Sequence, residues 1–308
     1  MINLNNISLG ANDLNTYKEK GYFITDKLLQ DSELEKLRKS FYRIFDNDYD
    51  RDIYPFDRVY NHDLDNKLLL KLNNGWWVND EIRSIVLSPI IGKIMAFFME
   101  TSEVRVWHDQ IVLKRGVGNN DVETDGNIGW HQDYAHWQVS SSTNMATIWI
   151  ALQDTNLENG GMRTIVGSHK WGLQKDADNF HEKDLKLLED KYKDNHKWID
   201  EPCIIKAGHA SIHHSLCFHG SGPNKSNNDR LGLIIHCMPK GASYRGRINP
   251  KSKFKLGSKG NRHANVPLLG PNAKKGDYFE GENFPVIWPY DKETEKIYNI
   301  KLDKLKQL

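Results

Sequence analysis

Cysteine is scarce in this chain: Cys203, Cys217 and Cys237 are the three in 308 residues, an odd number with no CxxC spacing. Neither a disulfide framework nor a structural zinc site is expected from them. Long apolar runs are missing as well. No stretch nears the ~20 consecutive apolar residues that a membrane-spanning helix needs. Met1–Gly10 has neither a basic start nor an apolar run, so no signal peptide is expected there, and the expected compartment is the reducing cytoplasm. An excess of one charge is also absent, with 42 basic residues against 41 acidic. That balance removes any overall pull toward nucleic acid or membrane surfaces. Arginine is rare, 12 against 30 lysines, so each arginine's position is informative.

What is present falls into two halves. Up to about residue 102 the periodicity is mostly helical. Asp13 is expected to cap a short helix that ends at Gly21, and Tyr22–Thr25 reads as a strand. Leu34, Leu37, Phe41 and Ile44 recur at helical spacing after Asp31. Ser88 and Pro89 open another apolar helix. From about Glu103 the pattern shortens. Val104 to Leu113, Ala146–Leu152, Cys203–Lys206, Ala210–His214 and Leu231–Cys237 read as strands, separated by glycine-rich turns. Helices followed by strands predict an α+β fold with a mainly β core, an antiparallel sandwich or barrel. No linker separates the halves, so one domain is expected.

The strongest local chemistry is Gly129-Trp-His-Gln-Asp133. His131 and Asp133, at i and i+2 on a strand, would face one side. Two histidines and one carboxylate, with three coordination positions left open, form the facial arrangement of non-haem Fe(II) oxygenases. Candidates for the second histidine are His213, His214, His219 and His236. His219 is favoured because small residues follow it in Phe218-His-Gly-Ser-Gly-Pro-Asn224, where the backbone can approach a bound group. Arg230, eleven residues further on, has the planar fork suited to a carboxylate.

These segments resemble a known family. His131-Gln-Asp133, Trp149–Asp154, Glu158–His169, His219–Gly222 and Arg230, with Tyr17–Ile24 ahead of them, are similar in order and spacing to the phytanoyl-CoA dioxygenase (PhyH-like) family over roughly residues 17–239. The resemblance implies a cupin-like double-stranded β-helix, or jelly roll, that uses Fe(II), 2-oxoglutarate and O2 and releases succinate and CO2. It implies one domain over 1–308: helices to about 102, the jelly-roll core over about 103–239, then a basic loop and C-terminal segment over 240–308. His131, Asp133 and His219 would be iron ligands. Arg230 would hold the distal carboxylate of 2-oxoglutarate, with Gln110, Trp149 and Ser221 around the same co-substrate. Related halogenases carry a small residue where Asp133 stands, so the aspartate points to hydroxylation or another oxidation without halide, and the expected reaction is hydroxylation of a small metabolite or biosynthetic intermediate. Desaturation, epoxidation and cyclisation remain open on the same iron. Outside that chemistry stand a non-catalytic jelly-roll binding protein and a zinc hydrolase. The first would be marked by a broken triad or a missing arginine, and the second gives Arg230 no role.

Three segments read as insertions over the sheets: Asp121–Asn127, the charged Trp171–Trp198 and the basic Gly241–Pro285. His136 and Trp137 are expected to line a substrate pocket. His214 is a candidate for packing near the iron. Between Lys240 and Gly276 fall ten Lys and Arg and no Asp or Glu, which leaves 32 basic against 41 acidic residues elsewhere. That segment is either a solvated loop or an attractor for an anionic substrate, through Arg245 and Arg247. With Tyr244 and Phe254 its only aromatics, a nucleic-acid partner is not expected. The motif reading predicts that anaerobic addition of Fe(II) and then 2-oxoglutarate gives the weak visible charge-transfer band of an iron–2-oxo acid chelate. His131→Ala and Asp133→Ala should each lose it. Wild-type protein with iron confirmed by elemental analysis but no band would contradict the reading.

Overall fold

The computed structural model describes residues 9–55, 57–58, 68–118, 126–178, 182, 184–246 and 263–289. Its larger sheet runs in the order β1 (Tyr22–Ile24), β9 (Ala210–His214), β6 (Ala146–Ala151), β11 (Arg230–Pro239), β4 (Val104–Lys114), β3 (Leu69–Asn73) and β2 (Asp57–Arg58), and β12 (Val286–Trp288) adds to β4. The smaller sheet has the order β5 (Ile128–His131), β10 (His219–Ser221), β7 (Met162–Ile165) and β8 (Asp200–Pro202). Every pairing is antiparallel. Residues of both sheets line one cavity, as in a jelly roll.

Period-two alternation divides the larger sheet. Leu70, Leu72, Ile111, Leu113, Ile148, Ile150, Ile212, Leu231, Leu233 and Ile235 form one core with the helices. Their alternate neighbours face the cavity. The helices that cover the outer face are α1 (Ala11–Lys20), α2 (Asp31–Phe45), α3 (Gly75–Val78), α4 (Asp80–Val86) and α5 (Pro89–Phe98). In α2 the expected stripe Leu34, Leu37, Phe41 and Ile44 is buried. Ser88 Oγ accepts from Ile90 N at 3.3 Å at the start of α5. Among the described residues, no helix is long and apolar enough to cross a membrane.

Several expected boundaries move. Asp13 is not the N-cap of α1. It sits at the third helical position, where its carboxylate accepts from Gly10 N at 2.8 Å, so the cap is Gly10 and the helix begins three residues earlier. Cys203–Lys206 is not a strand. Pairing with β7 ends at Pro202, and beyond it Thr155 Oγ1 accepts from Ile205 N at 3.2 Å, drawing the chain off the ladder. Asp133 is not on a strand with His131. It opens the one-turn α6 (Asp133–His136), and extended Gln132 (φ −105°, ψ 128°) joins the two. The charged segment contains α7 (Lys186–Tyr192), whose Leu188 and Tyr192 pack with Trp130 and Phe218. Asp121–Asp125 and Arg247–Arg262 lie outside the described residues.

Both ends of the 240–285 segment are fastened to the same place. Pro239 pairs with Val104 on one side of β4, and Trp288 pairs with Val104 on the other. Strand β12 also packs closely on α5: a Cβ placed on Gly92 would stand 2.1 Å from the Ile287 carbonyl oxygen. In an open helix Ala would gain up to about 1 kcal/mol over Gly. Here the collision dominates, since overpacking costs about 1–3 kcal/mol. Gly92→Ala should therefore lower stability in urea unfolding by about 1–2 kcal/mol, where helix preference alone would raise it.

Candidate active site

Strand register arranges the cavity face in rungs. His213, Thr147, His236 and His108 are aligned across β9, β6, β11 and β4. The next rung is Ser211, Trp149, Ile234, Gln110 and Asn73. Gly232, Val112 and Lys71 follow, then Arg230, Lys114 and Leu69. The opposing sheet brings His131 of β5 into register with His219 of β10. Together these residues border a cavity of about 670 Å³.

His131, Asp133 and His219 converge, with one ligand atom from each lying within 4.8 Å of the others, and all three are buried. Asp133 Oδ1 is 3.6 Å from His131 Nε2 and 3.6 Å from His219 Nε2. The tautomers are fixed from behind. His131 Nδ1 donates to Gly129 O at 2.8 Å, and His219 Nδ1 donates to Cys217 O at 3.1 Å. With Nδ1 so committed, a ring in its neutral form turns its Nε2 lone pair toward Asp133 Oδ1. Two lone pairs and a carboxylate oxygen repel one another at this spacing unless a cation lies between them. The donor set suits a divalent metal with open positions, as in the facial triad.

The other carboxylate oxygen is held separately. Asp133 Oδ2 accepts from Thr147 Oγ1 at 2.7 Å and lies 3.3 Å from His213 Nε2. Because the Thr147 proton is committed to Asp133, His236 Nδ1 donates to Thr147 Oγ1 at 2.7 Å. Burial alone would raise the Asp133 pKa. The imidazoles gathered around the carboxylate, His219 first and then His131, His213 and His236, outweigh it and hold the group well below the ordinary carboxylate range.

At the far rung, two cations lie buried side by side. Arg230 is 3% exposed, and its Nη2 donates to Gly160 O at 3.1 Å. Lys114, fully buried, donates to Ser221 Oγ and Gly222 O, both at 2.6 Å. Burial lowers Arg230 to about 10, and burial followed by Arg230 lowers Lys114 well below its usual value. Arg230 Nε has no partner among the described residues. A bound carboxylate would supply the missing counter-charge. Trp149 lies against the guanidinium, its ring centroid 5.3 Å from Arg230 Cζ. Gly232 makes room for that indole, since a Cβ there would stand 2.8 Å from it.

A family model described as phytanoyl-CoA dioxygenase (PhyH) matches residues 17–232. The chain belongs to that family. It is a 2-oxoglutarate-dependent dioxygenase, and the family's chemistry uses iron(II). A probable alpha-ketoglutarate-dependent hypophosphite dioxygenase of Stutzerimonas stutzeri is 25% identical over 231 residues, 71% of this chain and 75% of that one. The peroxisomal phytanoyl-CoA dioxygenase of Bos taurus is 21% identical over 241 residues, 74% of this chain and 68% of that one. Among solved structures, the carbocyclase SnoK from nogalamycin biosynthesis superposes with a TM-score of 0.64, at 22% identity, over 91% of this chain and 96% of that one. That likeness places the dioxygenase on the jelly-roll fold.

The remaining expected residues are placed unevenly. Gln110, Trp149, Ser221, His136 and Trp137 all line the cavity. Arg245 does not: it is exposed, and its Nη1 donates to Tyr134 Oη at 3.3 Å. Arg247 lies outside the described residues. His214 faces away from the triad, its Nδ1 accepting from Leu216 N at 3.0 Å, while its neighbour His213 points inward. Lys114, Lys71, His263 and Thr147 are not singled out by the sequence. The alternation Leu70-Lys71-Leu72-Asn73 carries a signal for Lys71. His263 has none beyond its place in the basic segment. Thr147→Val removes the hydroxyl between His236 and Asp133 and should weaken Fe(II) binding about 10–100-fold, read by competition with a metal-sensitive dye. Unchanged affinity would mean that His213 alone orients the carboxylate.

Proposed function

We propose that the dioxygenase hydroxylates a small molecule held in this cavity, with His131, Asp133 and His219 as the iron ligands. The observation that carries the proposal is the single cavity, bordered at once by the triad, by the Arg230–Lys114 pair and by a polar wall. When bound, iron supplies O2 activation coupled to oxidative decarboxylation of 2-oxoglutarate. One oxygen atom enters a substrate C–H bond as hydroxyl, the other enters succinate, and CO2 leaves. Arg230 and Lys114 receive the distal carboxylate of 2-oxoglutarate, and Ser221 positions the Lys114 ammonium. Trp149 walls the co-substrate in and keeps water from its charged end, while Gln110 borders it from the adjacent strand. Asp133 keeps the position that would otherwise admit a halide, which favours hydroxyl transfer. Three buried free thiols, Cys203, Cys217 and Cys237, suit a reducing cytoplasm.

Arg230→Leu should raise the KM for 2-oxoglutarate by roughly two orders of magnitude, because an uncompensated buried carboxylate is left behind. Iron binding by the same variant, measured by equilibrium dialysis, should stay at the wild-type level. A KM that does not move would place the carboxylate anchor elsewhere.

A further inference from the structure

The smaller sheet is covered on its outer face by the described parts of the 171–198 segment. Trp130 and Phe218 each precede a triad histidine by one residue. His131 and His219 line the cavity, while Trp130 and Phe218 face the other way. There they pack with Trp171, Leu188, Tyr192 and Trp198. The Trp130 and Trp198 rings meet edge to face at 5.6 Å, and Trp130 Nε1 donates to Leu185 O at 2.8 Å. Strands β5 and β10 have only four and three residues, too few to keep their place without a packed face.

Gln132, between His131 and Asp133, is fully buried. Its Nε2 donates to Gly172 O at 2.9 Å and to Leu216 O at 2.7 Å, and its Oε1 accepts from Gln174 N at 2.8 Å. Its backbone N donates to Ala177 O at 3.0 Å, and His131 meets Asp178 in an isolated antiparallel bridge. Leu216 belongs to the connection that leads into His219, and Tyr134 N donates to Ser215 O at 2.9 Å on the same connection. One amide thus ties the chain carrying His131 and Asp133 to the chain carrying His219, and ties both to the cover. An apolar side chain would strip the Leu216 and Gly172 carbonyls of their donor, and a carboxylate would face both without a proton.

Resting on the iron-ligand reading above, we propose that Gln132 is a positioning residue that couples docking of the 171–198 cover to the geometry of His131, Asp133 and His219. An ion held by the three ligands fixes the segments that Gln132 joins, so it also holds the cover down. By linkage, the docked cover raises the affinity for the ion by the same factor. Among the described residues, none from 171–198 lines the cavity. The cover therefore backs the metal site from behind and is not a wall against which substrate lies.

The test is limited trypsin digestion of the full chain with and without Mn(II), which suits the same donor set. Lys186, Lys191, Lys193 and Lys197 are exposed cleavage sites on the cover, and Lys36 and Lys39 are exposed on α2. In wild-type protein saturating Mn(II) should slow cleavage on the cover about tenfold and leave α2 unchanged. Gln132→Leu should weaken Mn(II) binding, counted as free ion by electron paramagnetic resonance, by about the same factor. It should also lose most of the protection and shift the visible absorption of the Co(II) form, which reports ligand geometry. If Gln132→Leu does not fold, Leu188→Ala, which loosens the seat of the cover from α7, is read in its place, with a severalfold loss of Mn(II) affinity expected. The proposal is overturned by wild-type protein that binds Mn(II) yet is cut at an unchanged rate, by slowing that is equal on α2 and on the cover, or by a folded variant with wild-type Mn(II) affinity. Wild-type protein that binds no Mn(II) sinks the iron-ligand reading itself, and this proposal with it.

Discussion

The structure turns on the repulsion built into the triad. Two imidazole lone pairs are aimed at a carboxylate oxygen 3.6 Å away, and each ring is locked in that tautomer by a backbone carbonyl. Such an arrangement is unfavourable in isolation and is sustained by the fold around it. The two histidines sit opposite each other on β5 and β10, where the ladder fixes their separation. Asp133 cannot turn away, because Thr147 and His213 hold its second oxygen from the facing sheet. A cation relieves the repulsion, so its binding energy also tightens the contact between the two sheets.

The same sheet register separates the cavity's charges. Counter-charge is needed at the Arg230–Lys114 rung, and His108, His213 and His236 lie at the other end, with Val112 and Ile234 lining the rungs between. One pleated surface therefore keeps the buried cations apart from the histidines around Asp133.

Much of this is legible in the sequence, for physical reasons. His131, Asp133, His219 and Arg230 are rare residue types in motifs whose spacing is set by strands, and the structure brings all four to one cavity. Alternation locates β4, β6, β9 and β11 because one face of each packs on helices. Short β5, β7 and β10 leave no comparable pattern, since their stability comes from partners distant in sequence. Lys114 looks like any surface charge at the end of a strand, because nothing local reveals that its ammonium ends on Ser221 and Gly222. The inward histidine of the His213–His214 pair is settled only by the register of β9 against β6. Arg245 stands out through the charge of its segment, yet its side chain points outward while His263 points in.

The 240–285 segment leaves the sheet beside Val104 and returns beside Val104. It is a handle with both roots in one strand, and the metal frame lies outside it. Closing such a handle costs little more as it lengthens, since the entropy grows only with the logarithm of its length. Changes in its length are therefore cheap, whereas substitutions at Tyr244, Val266, Phe279 and Phe284, which pack with Trp107 and Met238 of the sheet, are felt by the barrel. Changes in the segment also reach the cavity, because His263 and Ala264 form part of its wall. Selection on what the enzyme accepts can therefore act on a part that lies apart in the chain from His131, Asp133, His219 and Arg230.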